Sequence, residues 1–162
     1  MNDRQKIYEM LEGFESTMLV TRTAAGPLQA RPMRIAEVEP SGALWFVTSR
    51  ASRKISEIVQ DPRVLLVYQD ASGQYLSVSG TARVVDEPLR TRRLWKESYK
   101  TWFPKGADDP EVVLVSVEPE VAEFWDVSGV NGIRYLFEAA KAYVTGDRVR
   151  IEESEGHGRV RV

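Results

Sequence analysis

The sequence predicts a mainly β protein, in which an antiparallel sheet of six or seven strands closes into a small barrel with helices at its periphery. Three observations predict this class. The β-forming segments follow one another as adjacent hairpins, joined by short turns that contain glycine or proline. Helical patterns are confined to the start, the middle and the end of the chain, so strict βαβ alternation is missing. No glycine-rich phosphate loop of the Walker or dinucleotide type is present.

The first third of the chain predicts a helix, a hairpin and a third strand. Asn2 and Gln5 form a capping-box pattern, and the apolar residues after them repeat at helical spacing. Strands are expected over residues 17–23, 28–39 and 43–47, because β-forming residues there are separated by turns rich in glycine, proline and serine.

The remaining elements begin with an amphipathic helix that starts at Ser52. This helix ends before Asp61-Pro62, since a residue that precedes proline disfavours the α region. Gly80 lies inside a long β pattern and predicts a bulge or bend there. The other predicted elements are strands over 64–69 and 75–86, a helix over 88–99, two strands over 112–117 and 121–125 separated by Pro119, and a short helix around 136–144.

Length and composition indicate one domain over residues 1–146, followed by a charged, glycine-containing tail over 147–162 that is either an edge strand or disordered. A net charge of −2 gives no case for nonspecific nucleic-acid binding. The absence of cysteine excludes disulfides, thiolate zinc sites and cysteine nucleophiles, and it fits a cytoplasmic protein. No apolar run is long enough to predict a membrane span, and no signal sequence is recognised.

The most informative stretch is residues 45–54, where an apolar strand runs into a helix start. Three hydroxyl side chains follow the strand: Thr48, Ser49 and Ser52. Arg53 and Lys54 then open the helix, although the partial positive charge of a helix N-terminus disfavours cations there. A bound anion resolves this conflict, because hydroxyls, free N–H groups and a guanidinium all suit a phosphate. The alternative is that both cationic side chains point into water.

Several motifs, taken in order, resemble one known family. They are Arg31-Pro32-Met33-Arg34, Trp45-Phe46-Val47-Thr48, Ser52-Arg53-Lys54, Asp61-Pro62, a strand with Gln74 and Gly80, and Glu123-Phe124-Trp125-Asp126. This order is similar to that of the pyridoxamine 5'-phosphate oxidase-related flavoproteins, which have the FMN-binding split β-barrel. The last motif, together with Ala-Lys-Ala-Tyr-Val-Thr-Gly at 140–146, is typical of their general stress protein branch. The resemblance extends to about residue 148.

The resemblance implies a homodimer with FMN at the subunit interface. It assigns the phosphate to Arg53 and Lys54, which is the anion site inferred above. The other cofactor-binding residues that it implies are Arg31, Pro32, Met33 and Arg34 against the flavin, Val47 and Thr48 beside the ring and ribityl chain, and Trp125 from the other subunit. Gln74 or its neighbour Tyr75 is expected at the flavin, and Arg134 is a candidate for a distal arginine.

The chain also departs from true pyridoxamine-phosphate oxidases. Residues 133–137 read Ile-Arg-Tyr-Leu-Phe and lack the His and Asp of the oxidase element, so vitamin B6 oxidation is not expected. The leading hypothesis is an FMN-dependent oxidoreductase of an unknown small molecule, linked to stress. The alternatives are a flavin-storing or flavin-sensing protein without turnover, and the same fold with F420 or haem. The lone His157 disfavours haem.

Two residue patterns have simpler explanations. Arg31 and Arg34 lie three residues apart, so a regular strand directs them to opposite faces. The basic run of Arg90, Arg92 and Arg93 predicts a solvated helix face.

Overall fold

The computed structural model describes residues 2–146 and 156–162, and these form one antiparallel sheet with four α-helices. The strands are β1 (Ser16–Arg22), β2 (Leu28–Arg34), β3 (Glu37–Val38), β4 (Leu44–Ser49), β5 (Arg63–Gln69), β6 (Gln74–Val85), β7 (Val112–Asp126) and β8 (His157–Arg161). The helices are α1 (Asp3–Gly13), α2 (Arg53–Gln60), α3 (Pro88–Leu94) and α4 (Gly129–Thr145), with 3-10 turns at Glu97–Thr101 and Gly106–Asp108. Among these described helices, none is both long and apolar enough to cross a lipid bilayer.

The sheet has the order β2-β1-β5-β6-β7-β4-β3, and β8 pairs with the second half of β7. All its strand pairs are antiparallel, and the sheet curls into a half-barrel. The predicted fold class is therefore confirmed. The described residues contain eight strands rather than six or seven, because the short β3 separates from β2 and residues 157–161 of the tail form β8, while the two strands predicted over 112–125 merge into β7. Residues 147–155 of the predicted tail lie outside the described residues.

The core lies inside the curled sheet and follows from strand alternation. Every second residue in the middle of β1, β5 and β6 is buried, for example Leu19, Leu66 and Val78, whereas residues 112–117 of β7 are all buried. α1 adds its apolar face to the same cluster, and its first turn is capped by Asn2, whose Oδ1 accepts from the Gln5 amide at 2.9 Å. Burying each large apolar side chain contributes about 1.5–3 kcal/mol, so the core holds the sheet closed.

β7 runs unbroken through Pro119, where the sequence predicts two separate strands. The register between β6 and β7 shifts between Ser79 and Gly80, and Gly80 faces Pro119 across the shift. A Cβ atom on Gly80 would come within 3.0 Å of the Glu118 carbonyl carbon and closer still to its oxygen. Glycine therefore permits a bulge that accommodates a residue without an N–H donor, and the bulge predicted at this position is confirmed.

The helices after β6 also differ from the prediction. α3 ends at Leu94 because Trp95 adopts extended backbone angles, and a separate 3-10 turn carries the chain onward. α4 begins at Gly129, earlier than the helix expected around 136–144, so Gly132 lies in its first turn. Gly132 fits there because a Cβ atom would overlap the Val127 carbonyl oxygen. Gly132 thus serves close packing at the start of this helix.

Candidate functional site

Lys54 lies at the junction of β4 and α2, and its side chain turns inward. The residue is 8% exposed, and its Nζ donates to Thr48 Oγ1 at 2.9 Å and to Ser52 Oγ at 2.7 Å. Burial lowers the pKa of Lys54 below its ordinary value, the positive charge of Arg31 lowers it further, and the negative charge of Glu57 partly offsets both effects. A Lys54 that points into water, one of the alternatives above, is thereby excluded in this structure.

A second cation lies close to Lys54 and is held by a buried carboxylate. Arg31 on β2 faces Leu19 of β1 in the register, and its guanidinium reaches α2. Nη2 donates to Glu57 Oε2 at 2.8 Å and Nη1 donates to Thr21 Oγ1 at 2.6 Å, while the Thr21 hydroxyl donates to the same Glu57 oxygen. Thr21, Arg31, Lys54 and Glu57 form what we call the buried cation cluster. It carries two positive charges and one negative charge.

Arg53, the other predicted phosphate ligand, differs from Lys54. Its side chain is exposed, and the guanidinium forms no hydrogen bond or ion pair with the residues that the structure describes. Ser52, at the N-cap of α2, makes no side-chain bond to the helix amides because its hydroxyl accepts from Lys54 instead. The first turn of α2 thus combines an uncommitted guanidinium with backbone N–H groups that lack a side-chain cap.

The rest of the Arg31–Arg34 segment is divided between the two faces of β2. Met33 is buried, whereas Pro32 and Arg34 are exposed. Arg34 Nη2 lies 3.6 Å from Glu15 Oε2 in an exposed pair, so Arg31 and Arg34 reach different surroundings, as strand alternation predicts. Val47 and Ser49 on β4 are half-buried, and the Ser49 hydroxyl accepts from the Ala51 amide at 3.2 Å.

An aromatic group lies at the far end of β6 and β7. Tyr75 and Trp125 face each other in the register, and each is 39% exposed. The Trp125 ring stacks on His157 of β8, with 5.2 Å between centroids and an interplanar angle of 12°. His157 Nε2 lies 2.9 Å from Glu123 Oε1. Gln74 instead pairs with the buried Asp126, so Tyr75 is the candidate that shares the exposed face with Trp125.

The two groups of predicted site residues lie at opposite ends of β7. Thr48 of β4 pairs with Val113, and Trp125 is twelve residues further along the same strand. At about 3.3 Å per residue, this is roughly 40 Å of strand. The structure therefore brings Arg31, Thr48, Ser52 and Lys54 together and leaves Trp125 at the other end.

Comparison with known proteins identifies the family. Residues 2–150 match the family model described as pyridoxamine 5'-phosphate oxidase like. The chain belongs to this family. General stress protein 26 of Bacillus subtilis is 27% identical over 121 residues, which cover 72% of this chain and 84% of that protein.

Solved structures agree with the fold of this pyridoxamine 5'-phosphate oxidase-like protein. The general stress FMN/FAD binding protein from Xanthomonas citri is 27% identical and has a TM-score of 0.65, covering 75% of this chain and 86% of its own. A structure from Jannaschia sp. CCS1 has a TM-score of 0.71 at 24% identity and covers 98% of this chain and 97% of its own. The resemblance inferred from the sequence motifs is thereby confirmed.

Three residues of this family member escaped the sequence analysis: Thr21, Glu57 and His157, the last considered there as a haem ligand alone. A signal for Glu57 exists, because it shares the buried face of α2 with Lys54 and Ile58 at helical spacing. A carboxylate on such a face predicts a cationic partner. Thr21 and His157 gain their roles from strand register, which no local pattern reveals. Arg134 lies exposed on α4.

Proposed function

We propose that this chain binds FMN in a homodimer and acts as an oxidoreductase on a small molecule. The observation that carries the proposal is the buried cation cluster, whose excess positive charge lies beside the exposed Arg53 at the start of α2. An excess of buried positive charge is unfavourable unless an anion compensates it, and a phosphate does so. The similarity to the general stress FMN/FAD binding protein of Xanthomonas citri supports the choice of anion.

The residues at the start of α2 fit a phosphate group chemically. In this proposal Arg53 and Lys54 supply charge, Ser52 and Thr48 supply hydroxyls, and the first N–H groups of α2 point toward the anion. Lys54 is already held in place by the two hydroxyls, so little side-chain freedom is lost on binding. FMN itself would supply the hydride or electron transfer, while these side chains bind and orient it.

The surface of the sheet supports the homodimer part of the proposal. A band of partly exposed apolar side chains crosses one face of β1, β5, β6 and β7, and consists of Met18, Leu65, Val67, Tyr75 and Trp125. Contiguous apolar surface of this kind marks an interaction site more often than free surface. In such a dimer the family resemblance assigns Trp125 to the FMN of the other subunit, since Trp125 lies far from Lys54 within one chain. Light scattering on the eluting protein tests this: a monomeric mass at micromolar concentration contradicts the dimer.

The first experiment is the absorbance spectrum of the purified protein after FMN is added and free ligand is removed. Retained bands near about 370 and 450 nm support the proposal. F420 or haem would show its own absorbance instead. Reduction of the bound flavin by NAD(P)H and its reoxidation separate an oxidoreductase from a protein that stores or senses FMN.

Arg53→Ala tests the phosphate assignment without disturbing the core. Because the Arg53 guanidinium has no partner among the described residues, we expect unchanged unfolding of the ligand-free protein and FMN affinity about tenfold or more weaker, the effect of losing one charge-assisted contact. Substitution of Lys54 is a less suitable test, because Lys54 is buried and its loss would change the stability of the protein as well as FMN binding. Arg83→Ala is the matched control, because Arg83 is an exposed arginine in a loose 3.8 Å pair with Glu118. Equal FMN affinity in both variants contradicts the assignment.

A further inference from the structure

Glu57 occupies a position in α2 where an apolar residue is expected. It is 6% exposed and lies on the same helix face as Lys54 and Ile58. An ionised carboxylate in such a place is strongly unfavourable unless charge and hydrogen bonds compensate it. Its presence there therefore needs an explanation in terms of its partners.

Those partners are the cation and the hydroxyl of the buried cation cluster. Glu57 Oε2 accepts from Arg31 Nη2 at 2.8 Å and from the Thr21 hydroxyl, and Thr21 is itself fully buried. Arg31 uses two of its five N–H donors in these contacts, both on the side of Glu57. The carboxylate thus determines where the Arg31 guanidinium points.

A bound phosphate brings a second anion to the buried cation cluster. Without an anion, Arg31 and Lys54 outweigh Glu57 by one positive charge, and removal of the Glu57 charge would leave two cations repelling each other. A phosphate monoester carries about −1.5 to −2 charges at neutral pH, so with Arg31, Arg53 and Lys54 it brings the site near neutrality, and the phosphate and the Glu57 carboxylate repel each other beside the same cations. The carboxylate therefore stabilises the empty site and opposes the filled one.

We propose that Glu57 is a positioning residue that serves as the resident anion of the phosphate site and competes with the phosphate of FMN for the Arg31 guanidinium. This inference rests on the proposed function, since it concerns the same site. FMN binding then exchanges one anion for another at Arg31, and the affinity for FMN is set partly by the strength of the Arg31–Glu57 pair. A purely structural Glu57 would support stability and binding together, whereas a competing Glu57 supports the first and weakens the second.

The test is Glu57→Gln, which keeps the shape and removes the charge. We expect a lower urea midpoint for the ligand-free variant and an FMN dissociation constant about tenfold smaller, the factor that corresponds to one charge-assisted hydrogen bond regained at Arg31. Riboflavin, which has the same ring without the phosphate, should bind wild type and variant equally. Glu118→Gln is the matched control, because it removes the same charge from an exposed pair with Arg83.

The outcomes separate this inference from the proposed function. Weaker or unchanged FMN binding in Glu57→Gln overturns the competition, and so does an equal change for riboflavin. If wild type binds no FMN, the proposed function fails, and inorganic phosphate becomes the probe for the Glu57 inference. That inference then requires phosphate to raise the melting temperature of Glu57→Gln more than that of wild type. If the variant is unfolded without ligand, FMN must restore its fold where riboflavin does not, and failure to do so also overturns the inference.

Discussion

Arg31→Met measures how strongly the buried ion pair is coupled to the fold. The change removes the guanidinium and leaves the buried Glu57 carboxylate without its 2.8 Å partner. Removal of one member of a buried pair destabilises a protein by about 3–5 kcal/mol. Since the Arg31 side chain is 18% exposed, water relieves part of this loss, and we expect about 3 kcal/mol. For a chain of this length, the melting temperature should fall by roughly 6–12 °C.

A second substitution distinguishes the cost of an uncompensated buried charge from that of lost packing. In Arg31→Met with Glu57→Gln, no uncompensated carboxylate remains, so the double variant should regain at least about half of the lost stability. Urea unfolding followed by circular dichroism gives each free energy, provided that the slope with denaturant is the same in all variants.

The control is Arg34→Met on the same strand, where the pair with Glu15 is exposed and 3.6 Å long. We expect its stability to stay within about 0.5 kcal/mol of wild type, as is usual for exposed pairs. A loss below 1 kcal/mol for Arg31→Met would refute the reasoning, and so would a double variant in which the two effects simply add. Either result would mean that solvent screens the pair despite its burial.

Two further predictions concern the scaffold. Gly80→Ala places a methyl group against the Glu118 backbone and should lower stability by about 2 kcal/mol or more. In the control Gly13→Ala the new methyl group meets nothing within 4 Å, so this variant should be more stable than wild type by about 0.5–1 kcal/mol. Melting curves that rank the two variants otherwise contradict the bulge geometry. Hydrogen bonds from the side chain and backbone of Arg63 hold the pKa of Asp61 at about 2, below its ordinary 3.8, so the unfolded chain binds the proton first and wild type loses stability as the pH falls from about 4 to 2. Asp61→Asn cannot lose stability in this way, so its urea midpoint should fall less than that of wild type between about pH 4 and pH 2. Midpoints that fall in parallel for the two proteins would disprove the role of Asp61.

The elements that sequence reasoning located well have local causes. The start of α1 follows from Asn2 and Gln5, which are in contact within one helical turn. The unbroken β7 could not be predicted in this way, because Pro119 is acceptable there through Gly80, about forty residues earlier in the chain. Local rules for proline therefore predict two strands, whereas the pairing of β6 with β7 produces one continuous strand.

Within the candidate site, sequence reasoning could predict only those contacts whose residues are neighbours along the chain. The hydroxyls and cations at the β4–α2 junction are neighbours in sequence, and their convergence follows from a strand that leads into a helix. The basic run on α3 is different: Arg90 and Arg93 pair with Glu39 and Glu37 at 2.8 and 2.7 Å, across 51 and 56 residues. Arg92 and Arg93 are exposed, as the solvated face expected for this run requires, whereas Arg90 is half-buried, with its guanidinium 4.0 Å from the centroid of the Trp45 ring. Long-range charge pairing cannot be read from a single segment.

The pairing of β7 on its second side has a consequence for solubility. β4 covers β7 from Val112 to Val117, and β8 takes over from Val121 to Trp125. Without β8, the second half of β7 would offer a row of free backbone donors and acceptors, which is the template on which strands from other molecules aggregate. β8 carries Arg159 and Arg161, so it replaces this bare edge with a positively charged one that repels further strands of its own kind.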